Sequence, residues 1–434
     1  MVWSLYALCI GFCIDLIVGD PHGFPHPVVG IGRLISLLER LFRRLLPKTK
    51  GGEIAAGACI WVLTVLISAG LPAALLYGTQ KLSVWLRLAL ESVMCWQILA
   101  TKSLRDESMK VFSALRGGTL DEARQTVSMI VGRDTAQLDE KGVARAAVET
   151  VAENTSDGVI APLLFLALGG APLGFFYKAV NTMDSMLGYV EMPYKNIGLI
   201  PAKLDDVFNF IPARLSAFLM LAAGALLRLD VKNGWRIFRR DRCRHASPNS
   251  AQTESVCAGL LGLRLAGDAW YHGVLHRKSF IGDAVREIET DDIPRACRLM
   301  TVTALLALVL FAGIKALILL EAVRRVYHGT EYYAAGNHVQ RRQEPACRGT
   351  LPDLPAGRLS RRAVQKSEYG AQFLYHGRRR RNGPRAGRAG GGRRDRAGRP
   401  DEPDPPEADD GRRQSGHRER AGAGQHARDG ILPP

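Results

Sequence analysis

Apolar residues dominate six stretches, and polar residues crowd at their ends: Val2–Gly19, Ile54–Tyr77, Leu82–Leu99, Val159–Phe176, Ile211–Leu229 and Leu299–Leu320. Runs of about 18 apolar residues are long enough to cross hydrocarbon as helix. The pattern therefore predicts an all-α polytopic membrane protein of about five or six spans with helical loops between them. Ile54–Tyr77 is a strong span. Leu82–Leu99 is weaker, because it contains Arg87 and Glu91, which stand i, i+4 and read as a mutually neutralising pair. Val2–Gly19 encloses Asp15 and reads as a short first span or a buried helix at the membrane surface. It has neither a basic n-region nor a small-residue cleavage site, so a removable signal peptide is not expected.

Between the spans the pattern changes character. Asp20–Pro27 contains Pro21, Pro25 and Pro27 and predicts a rigid extended loop. Its His22 and His26 stand four apart off any helix, which reads as loop packing or substrate contact before metal ligation. Ile31–Leu46 is amphipathic, with Arg33, Arg40, Arg43 and Arg44 placed to meet anionic lipid at the interface. In Thr101–Asn154, Met109, Phe112 and Leu115, then Ala123, Val127 and Ile130, recur at helical spacing, broken by Gly117-Gly118. With Lys232–Arg298, which opens on a basic run, this segment is expected on the cytoplasmic side. Gly169-Gly170-Ala171-Pro172 interrupts Val159–Phe176. A straight helix there would be about 27 Å long and would put its two ends on opposite faces; a break would return them to one face as a hairpin.

Composition alters this picture at one end only. The chain carries a net charge of +16 over 434 residues, most of it beyond Leu320, where Lys366 is the only lysine among many arginines. From residue 326 to 434 the sequence is rich in Arg, Gly, Pro and Ala without apolar periodicity, so disorder is expected. Such a tail resembles a GC-rich reading frame translated out of register. No aromatic residues are interleaved with the arginines of its Arg-rich part, from Arg378 onward, and no nucleic-acid partner is expected. The eight cysteines show no C-x-x-C pair and no zinc spacing, and Cys9 and Cys13 read as packing on one helix face.

The candidate chemistry lies where acids crowd against spans. Carboxylates beside hydrocarbon are costly and usually functional. Glu153-Asn154-Thr155-Ser156-Asp157-Gly158 precedes the broken span, Asn181-Thr182-Met183-Asp184-Ser185 follows it, and Lys203-Leu204-Asp205-Asp206 comes next. These motifs predict the site of a membrane-embedded enzyme. No G-x-x-x-x-G-K-[ST] sequence occurs, which excludes a P-loop. A transporter with an intramembrane polar substrate site is the competing reading, since broken spans line substrate pathways. Against it stands the lack of an inverted hydropathy repeat.

Several stretches together resemble the CobD/CbiB family of cobalamin-biosynthesis proteins, the adenosylcobinamide-phosphate synthases. They are Asp15 with Gly19-Asp20-Pro21 and Pro25-His26-Pro27-Val28, Glu153–Gly158, Tyr177–Met186, Lys203–Asp206, and Ser247-Pro248-Asn249. The resemblance runs in order from about Met1 to Leu320. After Ser247-Pro248-Asn249 this chain has Ala251 and Thr253 before Glu254, where the family's pattern has Gly and Pro. The resemblance implies a multi-pass ligase of the cell (inner) membrane, with its active site on the cytoplasmic side. It would join the free propionate of adenosylcobyric acid to aminopropanol or its phosphate at the expense of ATP, with Mg²⁺; the corrinoid is substrate and lipid surrounds the spans. Carried onto this sequence, the chemistry points to Glu153, Asp157, Asp184 and Lys203 as catalytic. It points to His26, Asn154, Lys178, Asn181, Arg214, Ser247 and Asn249 as substrate-binding, and to Asp205 and Asp206 as magnesium ligands.

Overall fold

A computed structural model describes residues 2–342 except 22, 24, 190, 191 and 272. Four helical segments among them are long and apolar enough to cross a membrane: Lys50–Leu82, Glu140–Leu187, Leu199–Leu226 and Asp292–Arg325. Leu66, Leu71, Phe218, Val309 and Leu317 stand exposed on them, as lipid-facing side chains do.

Two shorter apolar helices, α1 (Val2–Val18) and α4 (Val84–Ile98), pack against one another. Gly11 allows the approach, since a Cβ there would come within 2.5 Å of the Cys95 side chain. At its C-terminal end α1 carries the buried Asp15, whose Oδ2 accepts a hydrogen bond (3.1 Å) from the backbone N–H of Thr101. That is a helix N-terminus satisfied by a carboxylate from another helix. The described cysteines are free; Cys9 is half-buried and Cys13 exposed, so the packing expected of this pair holds only for the first.

The proline-rich loop ends inside α2 (Pro27–Leu45). His26 is its N-cap, accepting from Val28 N at 3.3 Å, and Pro27 is the first helical residue, where its missing N–H costs nothing. Ile31, Ile35 and Leu38 are buried, and Arg40 lies outward, giving the amphipathic helix its pattern predicts. Helix α3 (Lys50–Leu82) is the first long span, and Arg87 and Glu91 on α4 approach to 3.5 Å as the spacing predicts.

The segment from Thr101 folds as α5 (Thr101–Gly117), α6 (Leu120–Ser128) and α7 (Glu140–Asn154). The break falls at Gly117-Gly118, and Thr119 with Glu122 closes a capping box on α6. From α7 the chain continues through a π-helical turn, Thr155–Ile160, into α8 (Ala161–Leu187). Helix α8 is not one crossing. Gly169 and Gly170 leave helical geometry, Gly170 at φ +67°, a conformation that a side chain disfavours. The second half folds back, so that a Cβ on Gly174 would meet Leu166 at 2.5 Å and the Phe165 and Phe176 rings lie 6.1 Å apart. The hairpin expected from Gly169–Pro172 is therefore present, and residues 181–187 return to the end of the bundle that holds residues 153–157.

Helix α9 (Leu199–Leu226) packs on the hairpin, and α10 (Val231–Asp241) and α11 (Ser250–Leu261) pack on each other. The region expected to be wholly helical then departs from that pattern. Antiparallel strand pair β1 (Leu265–Ala266) with β4 (Phe280–Ile281) encloses a second pair, β2 (Ala269–Tyr271) with β3 (Val274–His276). Helix α12 (Asp292–Arg342) closes the bundle. The backbone is helical through Arg342, and the rest of the tail read as disordered lies outside the described residues.

Candidate functional site

Three acids on one helical stripe start the site. Glu149 and Glu153 are one turn apart on α7, and Asp157 extends the row across the π-helical turn, where an added residue per turn rotates the following side chains. Tyr177, on the returning arm of α8, fixes this turn. Its hydroxyl lies 3.1 Å from the main-chain carbonyl of Asp157 and 2.8 Å from Asn209 Oδ1. Asn209 Nδ2 in turn donates to Asp205 Oδ2 at 2.9 Å. The π turn, α8 and α9 are thus stitched by one buried polar chain, and low local dielectric strengthens each of its hydrogen bonds.

The stitched elements form one wall of a cavity of about 650 Å³. Glu149, Glu153, Asn154 and Asp157 line it from one side, and Asn181 and Asp184 from the returning arm of α8. Asp157, Asp184 and Asp205 are close enough to feel one another's charge. The rest of the lining is Arg133, the 244–250 loop with Arg244, His245 and Ser247, Glu254 on α11, and Arg277 and Lys278 between β3 and β4; of these the sequence pointed to Ser247 alone.

Several of these groups are already paired. Arg133 forms an ion pair with Glu149, whose other oxygen accepts from Ala266 N at 2.6 Å. Arg244 sits 3.0 Å from Asp241. His245 Nδ1 is 3.1 Å from Ser250 Oγ, and its Nε2 is 3.6 Å from Glu254. Burial pushes the Glu254 carboxyl well above its ordinary range, with the charges of Glu153 and Glu149 adding to it. Burial and then Lys278 push the His245 imidazole down to about 4. His245 is therefore neutral at pH 7, and burial holds the Glu254 carboxyl toward its protonated form.

Of the residues expected from sequence, the structure gathers Glu153, Asn154, Asp157, Asn181, Asp184 and Ser247 at this cavity. Asp205 is one layer behind, buried, with its Oδ1 unpaired among the described residues. Asp206 is elsewhere engaged: it accepts from Ser247 Oγ (2.9 Å), and its carbonyl accepts from Asn249 Nδ2 (2.9 Å). Neighbouring helical residues point about 100° apart, so Asp205 and Asp206 do not face one ion. Arg214 donates to Asn249 Oδ1 (3.2 Å) and lies over Phe210, which makes it a brace for the same loop. Lys203 is exposed and off the cavity lining. Ala251 and Thr253 are absorbed into the buried α11 without disturbing it.

His26 and Lys178 line a second cavity of about 660 Å³, together with Asp20 and Ser103. Burial raises Asp20, but His26 Nε2 at 3.6 Å, the hydrogen bond from Ser103 Oγ (2.6 Å) and the Lys178 charge more than reverse this and hold it ionised. Lys178 also feels Asp157, so it stands between the two cavities electrostatically.

A magnesium ion suits oxygen donors, takes one or two carboxylates, and completes its shell with water and phosphate. The site offers one or two such carboxylates in Asp157 and Asp184, with Asp205 a layer behind them. No group of three His, Cys, Asp or Glu residues close enough to hold a metal alone occurs among the described residues.

Residues 8–300 match the family described as CobD/Cbib protein. A cobalamin biosynthesis protein CobD from Clostridium perfringens is 44% identical over 302 residues, 70% of this chain and 95% of the relative. One of the same name from Klebsiella pneumoniae is 46% identical over 312 residues, 72% and 98% of the two chains. The cobalamin biosynthesis protein CbiB of Salmonella typhi is 47% identical over 311 residues, 71% and 96%. No solved structure matches the chain.

Proposed function

The chain belongs to the CobD/CbiB family, and from that premise we propose that it serves cobalamin biosynthesis as a membrane-embedded, ATP-dependent acid–amine ligase. Its substrates are adenosylcobyric acid and aminopropanol or aminopropanol phosphate. The observation that carries this reading is the convergence of Glu153, Asp157 and Asp184 on one cavity across a folded-back span.

Amide synthesis from a carboxylate takes two displacements. A propionate oxygen attacks the γ-phosphorus of ATP, the bond to ADP breaks, and an acyl phosphate forms. The amine then attacks the acyl carbon, loses a proton, and phosphate leaves with the former carboxylate oxygen. A corrin ring is too wide for a 650 Å³ space, so only its propionate arm enters. Asp157 and Asp184 would hold magnesium by one carboxylate each, with water and phosphate completing its shell, and the ion would supply charge neutralisation at the phosphates. Glu153 holds the incoming amine as its ammonium and takes the first proton, which frees the lone pair for attack; the second proton, shed as the amide forms, leaves with the phosphate. Asn154, Asn181 and Ser247 give the polar contacts that orient the substrates. His26 and Lys178 hold the phosphate-bearing or amide-rich part of a substrate in the second cavity. The active site faces the cytoplasm, where ATP is found.

The test is ADP release by the purified chain. It should require the corrinoid acid and the amine together. A transporter would release none and would instead load corrinoid into proteoliposomes.

A further inference from the structure

The acidic wall of the main cavity cannot by itself accept a nucleotide. Glu153, Asp157 and Asp184 would repel a polyphosphate of three or four negative charges, and one divalent ion neutralises only part of that. Cations must come from elsewhere. The three expected from the sequence are not available: Lys178 lines the second cavity, Lys203 is exposed off the lining, and Arg214 is committed to Asn249 and Phe210. On the main cavity itself, Arg133 is spent on Glu149 and Arg244 on Asp241.

Two cations remain. Arg277 and Lys278 sit on the short connection between β3 and β4, and both line the cavity together with the acids. Neither forms an ion pair with a carboxylate among the described residues. Lys278 Nζ rests 2.8 Å from the Tyr271 hydroxyl and 4.8 Å from its ring centroid, a neutral support that leaves its charge uncompensated. It is near enough to act on Glu153 and Glu254 electrostatically. The arm that carries the pair is anchored at both ends by carboxylates. Glu149 accepts from Ala266 N (2.6 Å) where β1 ends, and Asp241 accepts from Gly282 N (2.8 Å) where β4 ends. Asp268 adds a third tie to the backbone of Lys278 at 3.2 Å. An arm so pinned keeps two positive groups at the lining of an acidic cavity.

We propose that Arg277 and Lys278 are the polyphosphate clamp of this cavity, closing on a nucleoside triphosphate whose magnesium ion lies on the acidic wall. The assignment rests on the ATP-dependent reading above for the nucleoside but not for the phosphates. Arg277 supplies a planar fork that fits two phosphate oxygens, and Lys278 supplies a point charge.

Isothermal titration of the full-length protein in detergent, with Mg-ATP and separately with Mg-bound inorganic triphosphate, tests this. The double variant Arg277→Ala/Lys278→Ala should weaken both ligands by about tenfold or more, and Arg277→Ala alone should weaken both to a lesser degree. Both side chains are exposed, so the variants should keep the helical circular dichroism and elution volume of the parent. Unchanged affinity for both ligands in the folded double variant would overturn the clamp. So would failure of the unaltered protein to bind either ligand. Binding of inorganic triphosphate through these two residues, with no ADP released in the presence of both organic substrates, would uphold the clamp and defeat the ligase reading instead.

Discussion

The ring of Phe165 stacks on that of Tyr177, twelve positions later, with centroids 5.0 Å apart and planes 20° from parallel. In a continuous helix those residues would be about 18 Å apart along the axis. The stack exists because the chain reverses at Gly169-Gly170, and the reversal sets Asp184 beside Asp157. Gly170 should therefore resist substitution. Its φ of +67° disfavours any side chain, and a Cβ would lie 2.4 Å from Glu91 Oε1. Gly170→Ala should cost on the order of 1–2 kcal/mol in backbone strain alone and lower activity by more than the loss of folded protein explains. Thermal unfolding in detergent beside activity per folded molecule would show it. Wild-type activity in this variant would mean that the reversal is not needed.

Asp157→Asn and Asp184→Asn keep side-chain size and remove charge. Each should lower ligation by about 100-fold or more with membrane-inserted protein unchanged, because a charge aimed at the reacting phosphates is lost from a closed site. The double variant should be little worse than either single one, as for residues that act as a unit. Independent, multiplying losses would place them in separate sites.

Lys203 and Asp206 should part company. Lys203→Ala removes an exposed amine off the cavity and should keep activity within about twofold, as surface changes usually do. Asp206→Ala frees Ser247 and Asn249. It should raise the KM for the organic substrates more than it lowers kcat, since the loop then loses its hold on the cavity edge.

Asp241 should give stability a defined dependence on acid. It is fully buried; burial raises its pKa, but hydrogen bonds from Arg240 and Gly282 N, with the charges of Arg240 and Arg244, hold it below the ordinary 3.8. A carboxyl lowered on folding stabilises above its unfolded value, and that contribution is lost as pH falls through the folded one. Asp241→Asn should thus be less stable by on the order of 1 kcal/mol at pH 7, since the exposed Arg240 and Arg244 stay solvated without it. The gap to the parent should shrink as pH drops below 3.8. A gap of constant size across that range would show that charge is not what Asp241 contributes.

Truncation after Arg342 should leave insertion and activity intact. The curated relatives are covered over 95–98% of their lengths by about 70% of this chain, so the last quarter has no counterpart in them. Loss of inserted protein in the truncated chain would contradict this.

Much of this was legible in residue order, and the limits have physical causes. Spans announce themselves by length and hydropathy, and Gly169–Pro172 announced a break because glycine and proline both end helices. The Glu149, Glu153, Asp157 row is visible at four-residue spacing. What could not be read was most of the rest of the lining. Arg277 and Lys278 reach the cavity only through strand pairs two or three residues long, below any useful periodicity. Lys203 misled for the opposite reason: neighbours of Asp205 and Asp206 in sequence diverge around a helix, so adjacency in the motif does not become adjacency in space.

The central claim, that this cavity activates a carboxylate with ATP, is tested most directly by isotope transfer. Adenosylcobyric acid labelled with ¹⁸O in the free propionate should be incubated with the protein, aminopropanol or its phosphate, magnesium and ATP, and the released inorganic phosphate analysed by mass spectrometry. The account predicts one ¹⁸O in each phosphate released, in step with amide formation. Unlabelled phosphate, or amide formed without ADP, would contradict it.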